Sequence, residues 1–350
     1  MYEYELTSAC LKMLRDMFDL QPGETIGITC DTQTDSQVVE ATAQAAVILG
    51  AKPLVFKTAA PRGFGKVGDP DHPQEALING LLGCDAWVEY NYQWLYYSTV
   101  YDKVVEDPKK MPRYLCMVGA TPDLIIRNIG KVDQVLLREF ILKMEAYNKA
   151  GKKYLITTPA GTHVEFENQP GRDFYSADGF VRPGEAKMMP GQIAWAPNWD
   201  TINGKIVFDG TLTPPIGKLT DPIILTVEKG YVKNIEGGGS DASTFAAWLK
   251  ELNDPTMYLM AHLSYGFNPG AKLTGDIVED ERVWGCTEWG LGNVGPQLAP
   301  DIPGGIPAAS HCDGICLNSS VWLDGVQILD KGVVVGPTPE LVELARKLGK

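Results

Sequence analysis

Thr25-Ile26-Gly27-Ile28-Thr29-Cys30, followed by the polar residues 31–35 and an Ala- and Val-rich run that closes on Leu49-Gly50, decides the fold of the first half of this chain. Six mostly apolar residues bounded by turn signals suit a buried strand. The run behind them opens on a small polar cap and ends at glycine, which predicts a helix reaching about residue 49. The same unit recurs downstream. Pro53-Leu54-Val55-Phe56 reads as a strand, residues 59–71 as a Gly- and Pro-rich loop, and 74–82 as a short helix. Ala86-Trp87-Val88-Glu89-Tyr90 and Tyr114-Leu115-Cys116-Met117-Val118 read as further strands, and 132–147 as a longer amphipathic helix. Upstream, Leu6, Cys10, Leu11, Leu14, Met17 and Phe18 keep the spacing of one helical face until Gln21-Pro22-Gly23-Glu24 breaks it. Strands that alternate with helices imply a parallel sheet covered on both faces, a Rossmann-like α/β domain over residues 1–150. Residues 30–35 contain no glycine, so neither a dinucleotide fingerprint nor a P-loop follows the first strand. Arg62-Gly63-Phe64-Gly65-Lys66 opens no convincing helix and reads as a loop rather than a phosphate cradle.

The pattern changes around Gly151-Lys152-Lys153. Short strands are expected near 154–157, 163–166, 205–209, 223–227 and 231–235, with Lys229-Gly230 as the turn of a hairpin. Helical spacing returns only near 242–252 and 339–348. The expectation is therefore an α/β plus α+β chain, with a β-rich domain over 151–350 that carries the chemistry.

Two of the four histidines fall in apolar, glycine-punctuated parts of that second domain. In Ser310-His311-Cys312-Asp313-Gly314, side chains at alternate positions of an extended strand project to one face. His311 and Asp313 can thus share a site while Cys312 turns away into the core. His262, in Ala261-His262-Leu263-Ser264-Tyr265-Gly266-Phe267-Asn268-Pro269, supplies a second imidazole. Two imidazoles and one carboxylate make the facial triad of non-haem Fe(II) sites, which leaves adjacent coordination positions open. His72, within Asp71-His72-Pro73, reads as a loop residue.

Composition narrows the partners. The chain has 350 residues, 44% of them apolar, and a formal charge of −13, which supplies no basic stripe for nucleic acid. No run of about 18 apolar residues is present to span a bilayer, and the N-terminal residues do not read as a signal peptide. Seven scattered cysteines without a Cys-x-x-Cys pair point to reduced thiols and a cytoplasmic protein.

Several motifs carry a family resemblance. They are Leu20-Gln21-Pro22-Gly23-Glu24, Ala160-Gly161-Thr162 and Gly204-Lys205-Ile206-Val207-Phe208-Asp209, then Gly266-Phe267-Asn268-Pro269 ahead of Glu279-Asp280-Glu281, and finally residues 310–314. Their order, over nearly the whole chain, resembles the aminopeptidase T and aminopeptidase S metallopeptidases. The resemblance implies a two-domain fold of that type with the active site in the C-terminal half. In the peptidases two metals share glutamates, histidines and an aspartate. Here Gln192 stands where the first glutamate is expected, His262 where the second is, and Glu288 where a histidine is. A neutral amide is a poor replacement for a bridging carboxylate, so two metals are not expected. The pattern is more similar to the 2,5-dihydroxypyridine 5,6-dioxygenase branch, with a histidine before an aromatic-glycine pair, here Tyr265-Gly266, and a late His-x-Asp.

Carried over to this chain, the resemblance makes His262, His311 and Asp313 the ligands of one Fe(II), with Mn or Zn as alternative ions. The implied reaction is oxidative cleavage of a hydroxylated aromatic or N-heteroaromatic ring by O2. The additional histidines which that branch places near its substrate have no equivalent here, and Met188 and Met189 occupy one such location. Glu288 and His163 are candidates for acid–base catalysis, Glu288 with the alternatives of a fourth ligand or a structural ion pair, and His163 with that of an exposed strand residue. Tyr265, Trp195, Trp289 and Gln192 are candidates for substrate contact; Trp199, Phe267 and Trp284 cluster in the same stretches, and all these aromatics can equally serve as core. A metal-dependent hydrolase with Glu288 as general base, and a non-catalytic ligand-binding relative, remain rival readings. The resemblance also implies a homo-oligomer, while the charge and hydropathy above predict no nucleic-acid or membrane partner.

Overall fold

The computed structural model describes residues 3–350. Close contacts divide them into two compact units: the first holds residues up to 135 and returns for 177–190, and the second holds 136–176 and 191–350. The sequence had placed one crossing near residue 150. Contacts instead change hands at 135/136, and a short excursion of the later chain rejoins the first unit.

In the first unit, β1 (Thr25–Asp31), β2 (Lys52–Thr58), β3 (Ala86–Glu89), β4 (Arg113–Cys116) and β8 (Ala186–Met188) form a parallel sheet of order β2-β1-β3-β4-β8. β3 and β4 are buried along their whole length and β1 nearly so, as expected of strands covered on both faces. The helix Ser36–Ile48 begins where the polar cap predicted, with the Asp35 side chain accepting from the Gln37 backbone N–H. The apolar face of residues 6–18 is met by an α-helix, Glu3–Lys12, continued by one π-helical turn, Met13–Met17. Residues 65–71 form a 3-10 turn behind Arg62-Gly63-Phe64, and His72, expected in a loop, is buried at its end.

The second unit is built on two antiparallel sheets. The eight-stranded sheet has the order β14-β13-β10-β6-β5-β18-β19-β20, from β5 (Lys153–Thr157), β6 (His163–Asn168), β10 (Pro197–Phe208), β13 (Ile223–Glu228), β14 (Tyr231–Gly237), β18 (Ser320–Leu323), β19 (Val326–Asp330) and β20 (Val333–Val334). β13 and β14 meet at Lys229-Gly230, both with positive φ (49° and 76°), the turn geometry that favours glycine and that the hairpin expectation required. The seven-stranded sheet has the order β12-β11-β17-β16-β15-β9-β7, from β7 (Tyr175–Ala177), β9 (Gln192–Trp195), β11 (Thr211–Thr213), β12 (Gly217–Lys218), β15 (Met260–Gly266), β16 (Thr287–Val294) and β17 (Ile306–Cys316).

The two sheets pack face to face. Trp289 of β16 meets Phe166 of β6 edge-on at 5.5 Å, and Trp195 of β9 meets Tyr154 of β5 at 5.6 Å. Gly314 of β17 lies so close to Phe208 of β10 that a Cβ there would fall 2.4 Å from the ring. Large aromatics fully removed from water on this inner face make it the main core of the unit, each contributing several kcal/mol at about 25 cal/mol per Å². The other face of the seven-stranded sheet is left to carry polar side chains.

Candidate metal centre

Strand alternation and register bring the chemistry together on that outer face. β15 sends His262 and Ser264 to it, β16 sends Glu288, β17 sends His311 and Asp313, and β9 sends Gln192. His262 lies opposite Gly290, Gly290 opposite Asp313, Gly292 opposite His311, and Ser264 opposite Glu288. Three central, adjacent strands therefore hold the site, and their ladders fix its geometry.

One donor atom from each of His262, His311 and Asp313 lies within 4.8 Å of the other two, the one such group of possible metal ligands among the described residues. His311 Nε2 is 2.9 Å and His262 Nε2 3.8 Å from Asp313 Oδ1. The two imidazole rings are stacked, centroids 5.1 Å apart and 7° from parallel. Gly290 makes this stack possible. A Cβ on it would lie 2.3 Å from His262 Nδ1 and Cε1 and 3.0 Å from His311 Cε1, so any larger residue would push the rings apart. Sequence reasoning passed over Gly290; its signal was the alternation of glycines in Gly290-Leu291-Gly292, which leaves one strand face bare beneath the histidines.

The second nitrogen of His311 is also committed. Its Nδ1 lies 2.9 Å from the Asn293 carbonyl oxygen, which can only accept, so Nδ1 carries the hydrogen and Nε2 turns to the site. Nε2 in turn faces the Asp313 carboxylate at 2.9 Å, which favours the protonated ring. Burial acts against that charge, yet Asp313 prevails and holds His311 above its ordinary value. In the same way burial pushes Asp313 up, and the His311 charge brings it below the usual carboxylate range. The arrangement favours positive charge between the two groups, which a divalent cation held by His262, His311 and Asp313 would supply in place of a proton.

Glu288 is fully buried, and neither carboxylate oxygen meets hydrogen-bond geometry. Its Oε2 lies 3.3 Å from His262 Nε2, but it is not part of the compact three-donor group. Burial, then the nearby Asp313 charge, push its pKa well above the ordinary carboxyl value. Two carboxyls this close in a dry site divide their roles, Asp313 ionised and Glu288 protonated.

Gln192 reaches the same face but its amide is spoken for. Nε2 donates to Ser264 Oγ (3.2 Å) and to Glu281 Oε2 (2.6 Å), and Oε1 accepts from Arg282 Nη2 (2.9 Å). At the position where the peptidase pattern expects a bridging glutamate, a neutral amide is locked into side-chain hydrogen bonds.

The other residues singled out in the sequence go elsewhere. Tyr265, Trp195 and Trp289 do not line the site. Tyr265 is three residues from His262, Trp195 three from Gln192 and Trp289 one from Glu288, odd offsets that send each to the inner face of the sheet. Tyr265 donates its hydroxyl to Asn148 Oδ1 (3.1 Å) and packs edge-on against Trp195 at 5.0 Å. Phe267 and Trp284 pack with Phe140 of the helix Gln134–Ala150, and the Trp199 ring sits under the Arg172 guanidinium at 3.7 Å while its Nε1 donates to the Ala261 carbonyl. His163 is likewise not brought to the site. It lies exposed on β6, in the other sheet, between Lys205 and Thr157. Cys312 is buried, as alternation requires, and all seven cysteines are free and buried. Met188 and Met189 belong to the first unit. Among the described residues no helix is long and apolar enough to cross a membrane.

Against known proteins, a family described as NicX, 2,5-dihydroxypyridine 5,6-dioxygenase, matches residues 5–336. A 2,5-dihydroxypyridine 5,6-dioxygenase of Pseudomonas putida is 27% identical over 234 residues, which cover 62% of this chain and 63% of that protein, a little under two thirds of its length. A solved 2,5-dihydroxypyridine dioxygenase from Pseudomonas putida superposes with a TM-score of 0.79 at 20% identity, over 98% of this chain and 99% of that one. Wild-type AmpT from Thermus thermophilus superposes with a TM-score of 0.69 at 12% identity, over 96% and 100%. At such identities the two superpositions speak for the fold alone: a parallel-sheet unit with helices and a unit of large antiparallel sheets.

Proposed function

Because the chain belongs to the NicX, 2,5-dihydroxypyridine 5,6-dioxygenase family, we propose that it is an Fe(II)-dependent dioxygenase that opens a hydroxylated N-heteroaromatic ring, with His262, His311 and Asp313 holding the iron. The observation that carries this reading is the convergence of those three donors within 4.8 Å from β15 and β17, the two strands that flank β16. Two imidazoles and one carboxylate are the donor set of non-haem Fe(II) oxygenases. When bound, the iron supplies the redox chemistry that lets O2 attack the ring.

The chain's own groups do the rest. Asn293 fixes the His311 ring in the tautomer that directs Nε2 inward, and Gly290 gives both rings room to close on one point. A proton held on His311 Nε2 would have to leave for a cation to bind there. Glu288, whose carboxyl is pushed well above its ordinary value by burial and then by the Asp313 charge, is the group we assign to pass a proton to a substrate oxygen as the ring opens. Side chains fixed on central strands hold these groups in place, and such positioning is a large part of catalysis.

The test is metal analysis of anaerobically purified protein, followed by oxygen-electrode assays with 2,5-dihydroxypyridine, hydroquinone and catechol. One iron per chain and oxygen uptake that depends on the pyridine substrate support the reading. Two zinc ions per chain, with peptide amides hydrolysed and no oxygen consumed, would overturn it in favour of a hydrolase.

A further inference from the structure

Next to the metal centre, three side chains close a ring of hydrogen bonds that the mechanism above does not use. Arg282 Nη1 donates to Glu281 Oε2 (2.6 Å), Arg282 Nη2 donates to Gln192 Oε1 (2.9 Å), and Gln192 Nε2 donates to Glu281 Oε2 (2.6 Å). The ring is tied to the site through Gln192 Nε2 and Ser264 Oγ, and Ser264 stands two residues from His262 and directly across from Glu288. Within the ring the exposures differ. Arg282 is wholly buried, with Nη1 also held by the Val278 carbonyl (2.8 Å), whereas the Glu281 side chain keeps 13% of its surface. Both donors of the ring use the same Glu281 oxygen, Oε2. Oε1 takes no hydrogen bond among the described residues.

Burial raises the Glu281 carboxyl to about 7 against the pull of the Arg282 charge, and above that value it is a carboxylate clamped through one oxygen, with its second oxygen unspent and not sealed off, an acceptor in a fixed orientation. The anchoring answers the usual objection to a flexible glutamate. Arg282 and Gln192 hold the carboxylate in place, and Arg282 is charge-assisted. A buried arginine retained only to neutralise its neighbour would add little stability over an apolar pair. Its presence makes sense if the carboxylate it orients has a further use.

We infer that Glu281 is a specificity-determining residue whose free oxygen accepts a hydrogen bond from the ring N–H of the substrate. The inference rests on the ring-opening reading above and deepens it. A 2-hydroxypyridine ring, in its lactam form, presents an N–H beside its carbonyl, and a carboxylate accepts from it. A benzene diol has no ring N–H. Glu281 thereby prefers N-heteroaromatic over carbocyclic rings, as sites built to bond a polar group reject analogues that lack it.

The experiment measures anaerobic dissociation constants of 2,5-dihydroxypyridine and hydroquinone for the iron-loaded wild-type chain and for Glu281→Gln, together with iron content. The wild type should bind the pyridine ring tighter by about 10- to 100-fold, the range of a hydrogen bond to a charged group. Glu281→Gln should keep one iron and lose most of that ratio by weakening the pyridine alone. Glu281→Asp serves as a second variant that keeps the charge beside Arg282 but draws the carboxylate back by one methylene, and it should lower the ratio too. A wild type that binds both rings equally, or a Glu281→Gln chain that keeps the ratio, overturns the assignment and leaves the dioxygenase reading intact. Failure of both variants to fold makes Glu281 a structural partner of Arg282 and also overturns it. A wild type that takes no iron and binds neither ring sinks the dioxygenase reading itself, and this inference with it.

Discussion

Gly290→Ala is the smallest change that should disable the centre without touching a ligand. Gly290 is not among the glycines with positive φ, so alanine costs nothing in backbone conformation. The added Cβ, however, would lie 2.3 Å from His262 Nδ1 and Cε1, where ordinary contact begins near 3.4 Å. The difference, 3.4 − 2.3 = 1.1 Å, is the distance the imidazole must retreat. Metal–ligand distances tolerate about 0.2 Å, so a ring moved this far no longer meets the point set by His311 and Asp313. We expect Fe(II) affinity to fall by about 100-fold or more, with a strain cost in the metal-free fold of at most about 1–3 kcal/mol. Anaerobic titration calorimetry with Fe(II), alongside thermal unfolding without metal, separates the two effects. In the double variant with His262→Ala the alanine at 290 should cause no further loss of affinity, since the ring it displaces is gone. Iron binding within about threefold of wild type in Gly290→Ala would refute the geometry.

Further outcomes follow from the site and from the core beneath it. His311 is held above its ordinary value by Asp313 and must lose a proton to bind metal, so iron affinity should be full above that raised value and fall as pH drops through it; Asp313→Asn should move the midpoint lower while weakening binding, as a pH series of titrations would show. Glu288→Gln should keep one iron and lose about 10²- to 10⁴-fold in kcat, whereas loss of iron would make Glu288 a ligand. Trp289→Ala should destabilise the fold by about 3–5 kcal/mol in urea unfolding, and Tyr265→Phe by about 1 kcal/mol through its bond to Asn148, with KM unchanged in the latter.

The first-unit sheet could be read from local signals because each strand–helix pair carries its own cap, glycine stop and apolar run. Ser36–Ile48 is the case in point, and in the second unit the Lys229-Gly230 turn announces its hairpin in the same local way. The return of residues 177–190 to that unit rests on a three-residue strand, Ala186–Met188, too short to show a period. At the site, alternation placed His311 and Asp313 on one face and Cys312 on the other. The same rule, applied to Tyr265 against His262 and to Trp289 against Glu288, would have sent both aromatics to the core, where they lie; composition around the motif obscured the parity. Glu281 and Arg282 reach the site from the end of the short helix Ile277–Asp280, outside the sheet, and no strand pattern reports such a contact. Gly290 escaped notice because its role is the absence of a side chain.

Crystals grown and loaded with Fe(II) under nitrogen, measured at the iron absorption edge, test the central claim most directly. A single anomalous peak per chain, bounded by His262, His311 and Asp313, is the predicted result. A peak elsewhere, a second peak of comparable height, or none at full loading would contradict it.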